Sequence, residues 1–221
     1  MQHLSKDEFE TLTQGAEVLE EDGFGRKVLR LPNNRILKLF RRKRWISSQL
    51  WAPHAKRFQN NAKKLADKGI LTIDVITTFS IPEIDRQAVL YHEIPGTTLR
   101  TWLKEHGGYE TEHLIQEFGR FVAKLHAEGV LFRSLHFGNV LVTPDQQLAL
   151  IDIVDMRLLK RAVSTRERIR NFSHIARYAE DSVLFTQNSE HTFIEAYLKA
   201  IQLKPNKQAQ LRKAFISGLY R

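Results

Sequence analysis

The chain of 221 residues contains no cysteine. Disulfides, thiol catalysis and thiolate zinc sites are therefore excluded. No apolar run approaches the ~18 residues that a membrane-spanning helix requires. The opening stretch, MQHLSKDEFE, is polar and acidic and does not read as a signal peptide. No His-x-x-x-His or similar cluster offers a zinc site. There is neither an internal repeat nor a low-complexity tract. Acidic residues are in the minority, 25 against 34 Lys and Arg, which leaves a formal charge of +9. That surplus points to an anionic partner. The basic residues are not interleaved with aromatics and no reader motif is present, which argues against a nucleic acid. These absences together predict a cytoplasmic protein.

What is present is ordinary globular composition: 42% hydrophobic and 27% charged residues, enough for a sizeable core in one or two domains. The most informative stretch is 129–161, GVLFRSLHFGNVLVTPDQQLALIDIVDMRLLKR. It reads as loop, strand, turn, strand and then a polar segment. Val140, Leu141 and Val142 are strand formers, Thr143, Pro144 and Asp145 make a turn, and Leu148 to Ile151 is a second short apolar run. Asn139 and Asp152 then fall at the same end of a hairpin. An amide oxygen and a carboxylate converging there suit a magnesium ion bound to phosphates.

Upstream, Ser5 and Glu8 have the form of a capping box and predict a short helix. Gly23 and Gly25 in EEDGFGRKV form a tight turn where backbone can approach a phosphate. Strands follow at 26–31 and 35–40, joined by Pro32-Asn33-Asn34. Lys38 lies inside the second, on the face opposite Leu37 and Leu39. Arg41 to Arg44 is a basic run. A helix is predicted over 49–68, with Trp51, Ala55, Phe58, Ala62 and Leu65 on one face and Gly69 as the stop. Gln59 and Asn61 flank that face and Asn60 points away. No glutamate occurs between Glu21 and Glu83. A strand at 88–92 is broken by Glu93, Ile94, Pro95 and Gly96. Leu114, Phe118, Phe121, Val122 and Leu125 mark an amphipathic helix that ends at Gly129. His126, near its end, reads as a core or capping histidine. Asp155 reads as the ion-pair partner of Arg157 or another nearby base. Three further helical patterns follow, around Phe172 to Ala179, Phe193 to Ile201 and Leu211 to Leu219.

The spacing of Arg133-Ser134, Asn139 and Asp152 resembles protein kinases, which carry H-R-D-x-x-x-x-N followed by D-F-G. The loop through Leu135, His136 and Asn139 resembles more closely that of the lipopolysaccharide core kinases, the Kdo and heptose kinases, and related InaA-type proteins. The basic tail through Arg157, Lys160, Arg161, Arg168, Arg170 and Asn171 is similar to that family too. The resemblance spans about 23–171. It implies an α+β, two-lobe protein kinase-like fold, with a small sheet-rich N-lobe over 1–94 and a mostly helical C-lobe over 95–221. It implies ATP and magnesium as cofactors. Lys38 would hold phosphates, as the lysine of the kinase V-A-I-K strand does. Gly23, Gly25 and the hinge at Glu93 would hold nucleotide. Asn139 and Asp152 would hold the metal, and Ser134 and His136 would face the acceptor. The implied acceptor is an anionic sugar or glycolipid, met at the inner face of a membrane through peripheral contact. Ser134 stands where kinases have Asp, Val154 where D-F-G has Gly, and no helix Glu is available for Lys38. Those departures leave a pseudokinase as the alternative.

Overall fold

The computed structural model describes residues 1–41, 53–175, 177–187 and 190–219. The basic residues 42–44, the predicted helix start with Trp51, and Ala176 lie outside them. The chain divides into two compact units, Met1–Ile94 and Pro95–Arg221.

The first unit is a six-stranded sheet in the order β1-β5-β6-β4-β3-β2. Its strands are β1 (Gln2–His3), β2 (Glu17–Asp22), β3 (Gly25–Leu31), β4 (Arg35–Arg41), β5 (Val75–Ile81) and β6 (Arg86–His92). All pairs are antiparallel except β1 with β5. Helix α1 (Lys6–Leu12) starts on the predicted capping box: Ser5 Oγ accepts the Glu8 N–H, and Glu8 Oε2 accepts the Ser5 N–H. Its Phe9 packs onto a core of Leu29, Leu31, Leu37, Leu39, Phe79, Ile81, Ala88 and Leu90. The residues between these point to the other face, where helix α2 (His54–Ala66) buries Ala55, Phe58, Ala62 and Leu65. Phe58 meets Tyr91 at 5.8 Å and Phe40 at 6.0 Å between ring centres.

The second unit is mostly helical: α3 (Leu99–Glu105), α4 (Gly108–Ala127), α5 (Thr165–Ile175), α6 (Ala179–Gln187), α7 (Glu190–Lys199) and α8 (Pro205–Leu219). Among the described residues the three late helical patterns correspond to four helices, α5 to α8. Phe118 of α4 packs among Phe137, Phe185 and Phe193 at 5.4–6.4 Å, and Phe215 stacks on Phe193 at 4.7 Å. The strands are short. β7 (Thr97–Thr98), β9 (Val140–Val142) and β10 (Leu148–Leu150) form one sheet, while β8 (Val130–Phe132) pairs with β11 (Met156–Leu158). The β9–β10 hairpin lies where the sequence predicts it, with Leu148 opposite Val142 and Leu150 opposite Val140. The β8–β11 pair corrects the expectation of a loop and a polar segment at those positions. Gly129, at φ +75°, closes α4 and turns into β8. A Cβ there would stand 2.4 Å from the Arg161 carbonyl oxygen, so only glycine fits.

Candidate active site

In the first unit, Lys38 of β4 stands opposite Val28 of β3 and Val89 of β6, partly buried in the middle of the sheet. It shares its face with Phe40, whose ring contacts Phe58, so Lys38 projects on the side covered by α2. On α2, Gln59 and Asn61 are partly buried and Asn60 is exposed, the order the helical wheel predicts. No carboxylate lies on the described part of α2 before its C-cap, Asp67, which pairs with Lys63.

The Gly23–Gly25 turn is a two-residue hairpin loop, since Asp22 and Gly25 are paired. Gly25 takes φ +100°. The Phe24 N–H, however, donates to Asp22 Oδ1 at 2.8 Å, and the Phe24 carbonyl accepts from Arg86 Nη2 at 2.8 Å. Arg41 lies over the Phe24 ring at 3.6 Å. A carboxylate therefore holds the central amide of this turn. Glu93 is engaged as well: its carboxylate receives Arg30 Nε and Nη2 at 2.8–3.1 Å, and its N–H donates to the Asn34 carbonyl at 2.8 Å. What Glu93 retains for a nucleotide is its carbonyl.

In the second unit, the segment after β8 forms a tightly bonded loop ending in a 3₁₀ turn at Phe137–Asn139. Asn139 is buried, and its Nδ2 donates to the Ser134 carbonyl at 2.9 Å. With the amide nitrogen engaged, Oδ1 is the atom left to meet a cation. The Asn139 carbonyl accepts the Ile151 N–H at 3.1 Å, which ties this loop to the residue before Asp152. Asp152 has φ +51°, a left-handed conformation that is costly for a residue with a Cβ. Asn139 and Asp152 thus leave the same end of the β9–β10 hairpin. One amide oxygen and one carboxylate suit magnesium, which keeps waters and phosphate oxygens as its other ligands.

His136 caps the 3₁₀ turn, its Nδ1 accepting the Gly138 N–H at 3.2 Å. A nitrogen that accepts carries no proton, so the neutral ring holds its proton on Nε2. Burial, and after it the Arg100 guanidinium, keeps this histidine below its ordinary pKa of 6.5, against the opposite pull of Asp181 and Asp152. The ring is then a donor toward any ligand. In this tautomer neither ring nitrogen is set up to accept a proton. Asp155 pairs with Arg133, not with Arg157, and its carbonyl accepts the Arg133 N–H at 3.0 Å.

Several residues that organise this loop are not legible in the sequence. Asp181 of α6 is fully buried, accepts the Phe137 N–H at 3.1 Å, and is gripped by Arg100 of α3. Phe137 inserts its ring against Phe185 at 4.6 Å. Below the loop runs a buried chain of hydrogen bonds. Arg168 Nη1 donates to Tyr197 Oη at 2.7 Å, and the Tyr197 hydroxyl donates to His126 Nδ1 at 2.8 Å. His126 Nε2 donates to Asn171 Oδ1 at 2.9 Å, and Asn171 Nδ2 to the Phe132 carbonyl at 2.7 Å. His126 is a core histidine, as its position suggests, and burial pushes its pKa down to about 3. Arg168 and Asn171 are therefore structural, and Arg161 pairs with Glu167 at 2.9 Å. Of the basic tail over 157–171, Arg168 and Asn171 thus face inward, while Arg157, Lys160 and Arg170 are exposed. One signal was present: Ser164 and Glu167 form a second capping box, with reciprocal bonds at 2.9 and 3.4 Å.

A sheet-rich first unit and a helical second unit carrying a tied Asn139–Asp152 hairpin define the α+β protein kinase-like class. A known structure agrees. A medium-resolution structure of the bifunctional kinase-methyltransferase WbdD matches with a TM-score of 0.50 at 14% identity, covering 86% of this chain and 47% of that one. A 2.2 Å structure of WbdD gives 0.49 at 14% identity, covering 86% and 48%. The chain thus spans about half the length of these structures. No curated protein matches by sequence. The profile of the lipopolysaccharide kinase (Kdo/WaaP) family matches residues 22–197, and the chain belongs to that family.

Proposed function

We propose that the chain is an ATP-dependent phosphotransferase that passes the γ-phosphate of ATP to a sugar hydroxyl of an anionic, lipopolysaccharide-type glycolipid. The observation that carries this reading is the Asn139–Asp152 arrangement, an oriented amide oxygen and a left-handed carboxylate at one end of a hairpin. When bound, magnesium would neutralise charge on the transferring phosphates. Asn139 and Asp152 would hold it. Lys38, on its partly buried strand, would hold phosphates. The Glu93 carbonyl would meet the base, and the Gly23–Gly25 turn would close on phosphate once Asp22 releases the Phe24 amide. Ser134 and His136 would face the acceptor hydroxyl, His136 as a hydrogen-bond donor. Residues 1–94 would serve the nucleotide, and 95–221 the metal and acceptor. Exposed bases such as Arg157, Lys160 and Arg166 would make salt-sensitive contact with an anionic membrane surface on the cytoplasmic side. Among the described residues no helix is long and apolar enough to cross a membrane.

The test is phosphate transfer to a Kdo-terminated core glycolipid in the presence and absence of magnesium, with Asp152→Ala as the control. Magnesium-dependent transfer that the variant lacks supports the reading. A second reading, a nucleotide-binding pseudokinase, is favoured by Ser134 and by the His136 proton on Nε2, which leave the loop with no group set up as a base. It predicts magnesium-dependent ATP binding with no turnover.

A further inference from the structure

The basic side chains of the second unit fall into two kinds. Arg100, Lys104, Arg161 and Arg212 meet carboxylates at Asp181, Glu180, Glu167 and Glu195. Arg170 and Arg177 are exposed and have no carboxylate partner among the described residues.

Their position is fixed by the fold. The 2.7 Å bond from Asn171 Nδ2 to the Phe132 carbonyl pins α5 against the base of the Arg133–Asn139 loop. Arg170 and His174 flank Asn171 and, four residues apart, lie on one face of α5. Half-buried His174 feels the charge of three guanidinium groups, those of Arg177, Arg170 and Arg133, and of one carboxylate, Asp155. Asp155 is already paired with Arg133. Arg177 also acts on His136, and the next residue, Tyr178, sets its ring edge-on against the His136 ring at 4.8 Å. The surplus positive charge therefore runs from His174 to the loop that carries Ser134 and Asn139.

We propose that Arg133, Arg170, His174 and Arg177 form a subsite for an oxyanion carried by the acceptor sugar itself, a carboxylate or a phosphate beside the hydroxyl to be modified. The inference rests on the phosphotransferase reading, since it assigns the anion to the acceptor. The chemistry fits. Guanidinium groups bind carboxylate and phosphate through paired N–H donors, a match that point-charge ammonium groups lack. Asp155 orients Arg133 while leaving the surplus on Arg170 and Arg177. With the acceptor's anion held here, the neighbouring hydroxyl is presented to the Ser134–Asn139 loop by position, which is the main requirement of phosphoryl transfer.

The experiment needs neither ATP nor turnover. Histidine ring signals of the whole protein are followed by NMR during titration with inorganic phosphate, glucuronate, glucose 6-phosphate and uncharged glucose. The His174 signals should shift saturably with the charged probes and stay fixed with glucose. Arg170→Gln/Arg177→Gln should weaken that binding about ten-fold or more. The charge-matched control Lys204→Gln/Lys207→Gln, in exposed positions near the start of α8, should leave it unchanged. Tighter binding of glucuronate assigns a carboxylate, and tighter binding of glucose 6-phosphate a phosphate. Equal response to glucose, undiminished binding by the Arg170/Arg177 variant, or no shift with any anion overturns the subsite. Asp152→Ala protein should still bind the anion, since the subsite does not use the metal; wild-type protein that binds the anion but transfers no phosphate rejects the kinase reading and leaves the subsite standing.

Discussion

Arg100 and Asp181 are joined by two parallel hydrogen bonds, Nε to Oδ1 at 2.6 Å and Nη2 to Oδ2 at 3.0 Å. The carboxylate is fully buried and also holds the Phe137 N–H at the centre of the candidate loop. The hydrogen bond to Asp181 raises the Arg100 pKa above its ordinary value. Removing one partner strands a buried charge. Arg100→Met is therefore expected to cost about 3–5 kcal/mol in urea unfolding. Arg100→Met/Asp181→Asn should recover much of that loss, because no charge is left unpaired. An Arg100→Met protein as stable as wild type would show that the pair does not organise the loop.

The buried histidine makes a prediction about acid. His126 takes up a proton at pH 6.5 in the unfolded chain but only at about 3 when folded. Between those values the unfolded state binds more protons, so stability falls as pH falls, by up to about 1.4 kcal/mol per pH unit. His136 and His174, also lowered chiefly by burial, act with the same sign. Above pH 6.5 this stabilisation is fully present. Urea midpoints measured from pH 7.5 to 5 should therefore fall, and His126→Gln should flatten the slope. A midpoint independent of pH across that range would contradict the neutral, buried arrangement of the Arg168–Tyr197–His126–Asn171 chain.

How much of this was legible depends on the range of the signal. The hairpin of Val140–Val142 and Leu148–Leu150 was readable because two short apolar runs and their turn are adjacent in sequence. Capping at Ser5 and the register that isolates Lys38 between Leu37 and Leu39 are local as well. The β8–β11 pair was not readable. Each strand has three residues, and their pairing, with Phe132 opposite Met156, is set by tertiary packing. Asp181, Arg168 and Asn171 look like surface residues in a polar sequence. Burial turns them into the frame of the loop, and burial of a polar group is decided by partners that are distant along the chain.

Asp152 offers a test that separates strain from ligation. Its φ of +51° is costly for an ordinary side chain and free for glycine. Asp152→Gly should be more stable than Asp152→Ala by about 1 kcal/mol in urea unfolding. Both variants should lose the magnesium-dependent rise in melting temperature that Mg-ATP gives the wild type by mass action. If Asp152→Ala keeps that rise, the carboxylate is not a metal ligand.

Ser134 and His136 decide between a slow kinase and a binding module. Kinases place an aspartate at the Ser134 position to accept the acceptor's proton, and general-base catalysis is typically worth ~10²–10⁴-fold. Serine cannot accept that proton near neutral pH. His136 cannot accept it at Nδ1, which already takes the Gly138 N–H, nor at Nε2, which carries the ring proton. Phosphoryl transfer relies mainly on positioning and charge neutralisation, so a site without a base is slow but not silent. Ser134→Asp is accordingly expected to raise phosphate transfer, with ~10²-fold as the lower end of the base's usual contribution. His136→Asn can still cap the Gly138 N–H through its side-chain oxygen, whereas His136→Ala cannot. Asparagine should therefore retain nucleotide binding and most of the turnover, and alanine should lose turnover as the loop loosens. If asparagine and alanine are equally inactive, and wild-type activity rises with pH through an imidazole titration, His136 is the base after all. If wild type matches Asp152→Ala and Ser134→Asp gains nothing, the chain binds nucleotide without transferring phosphate.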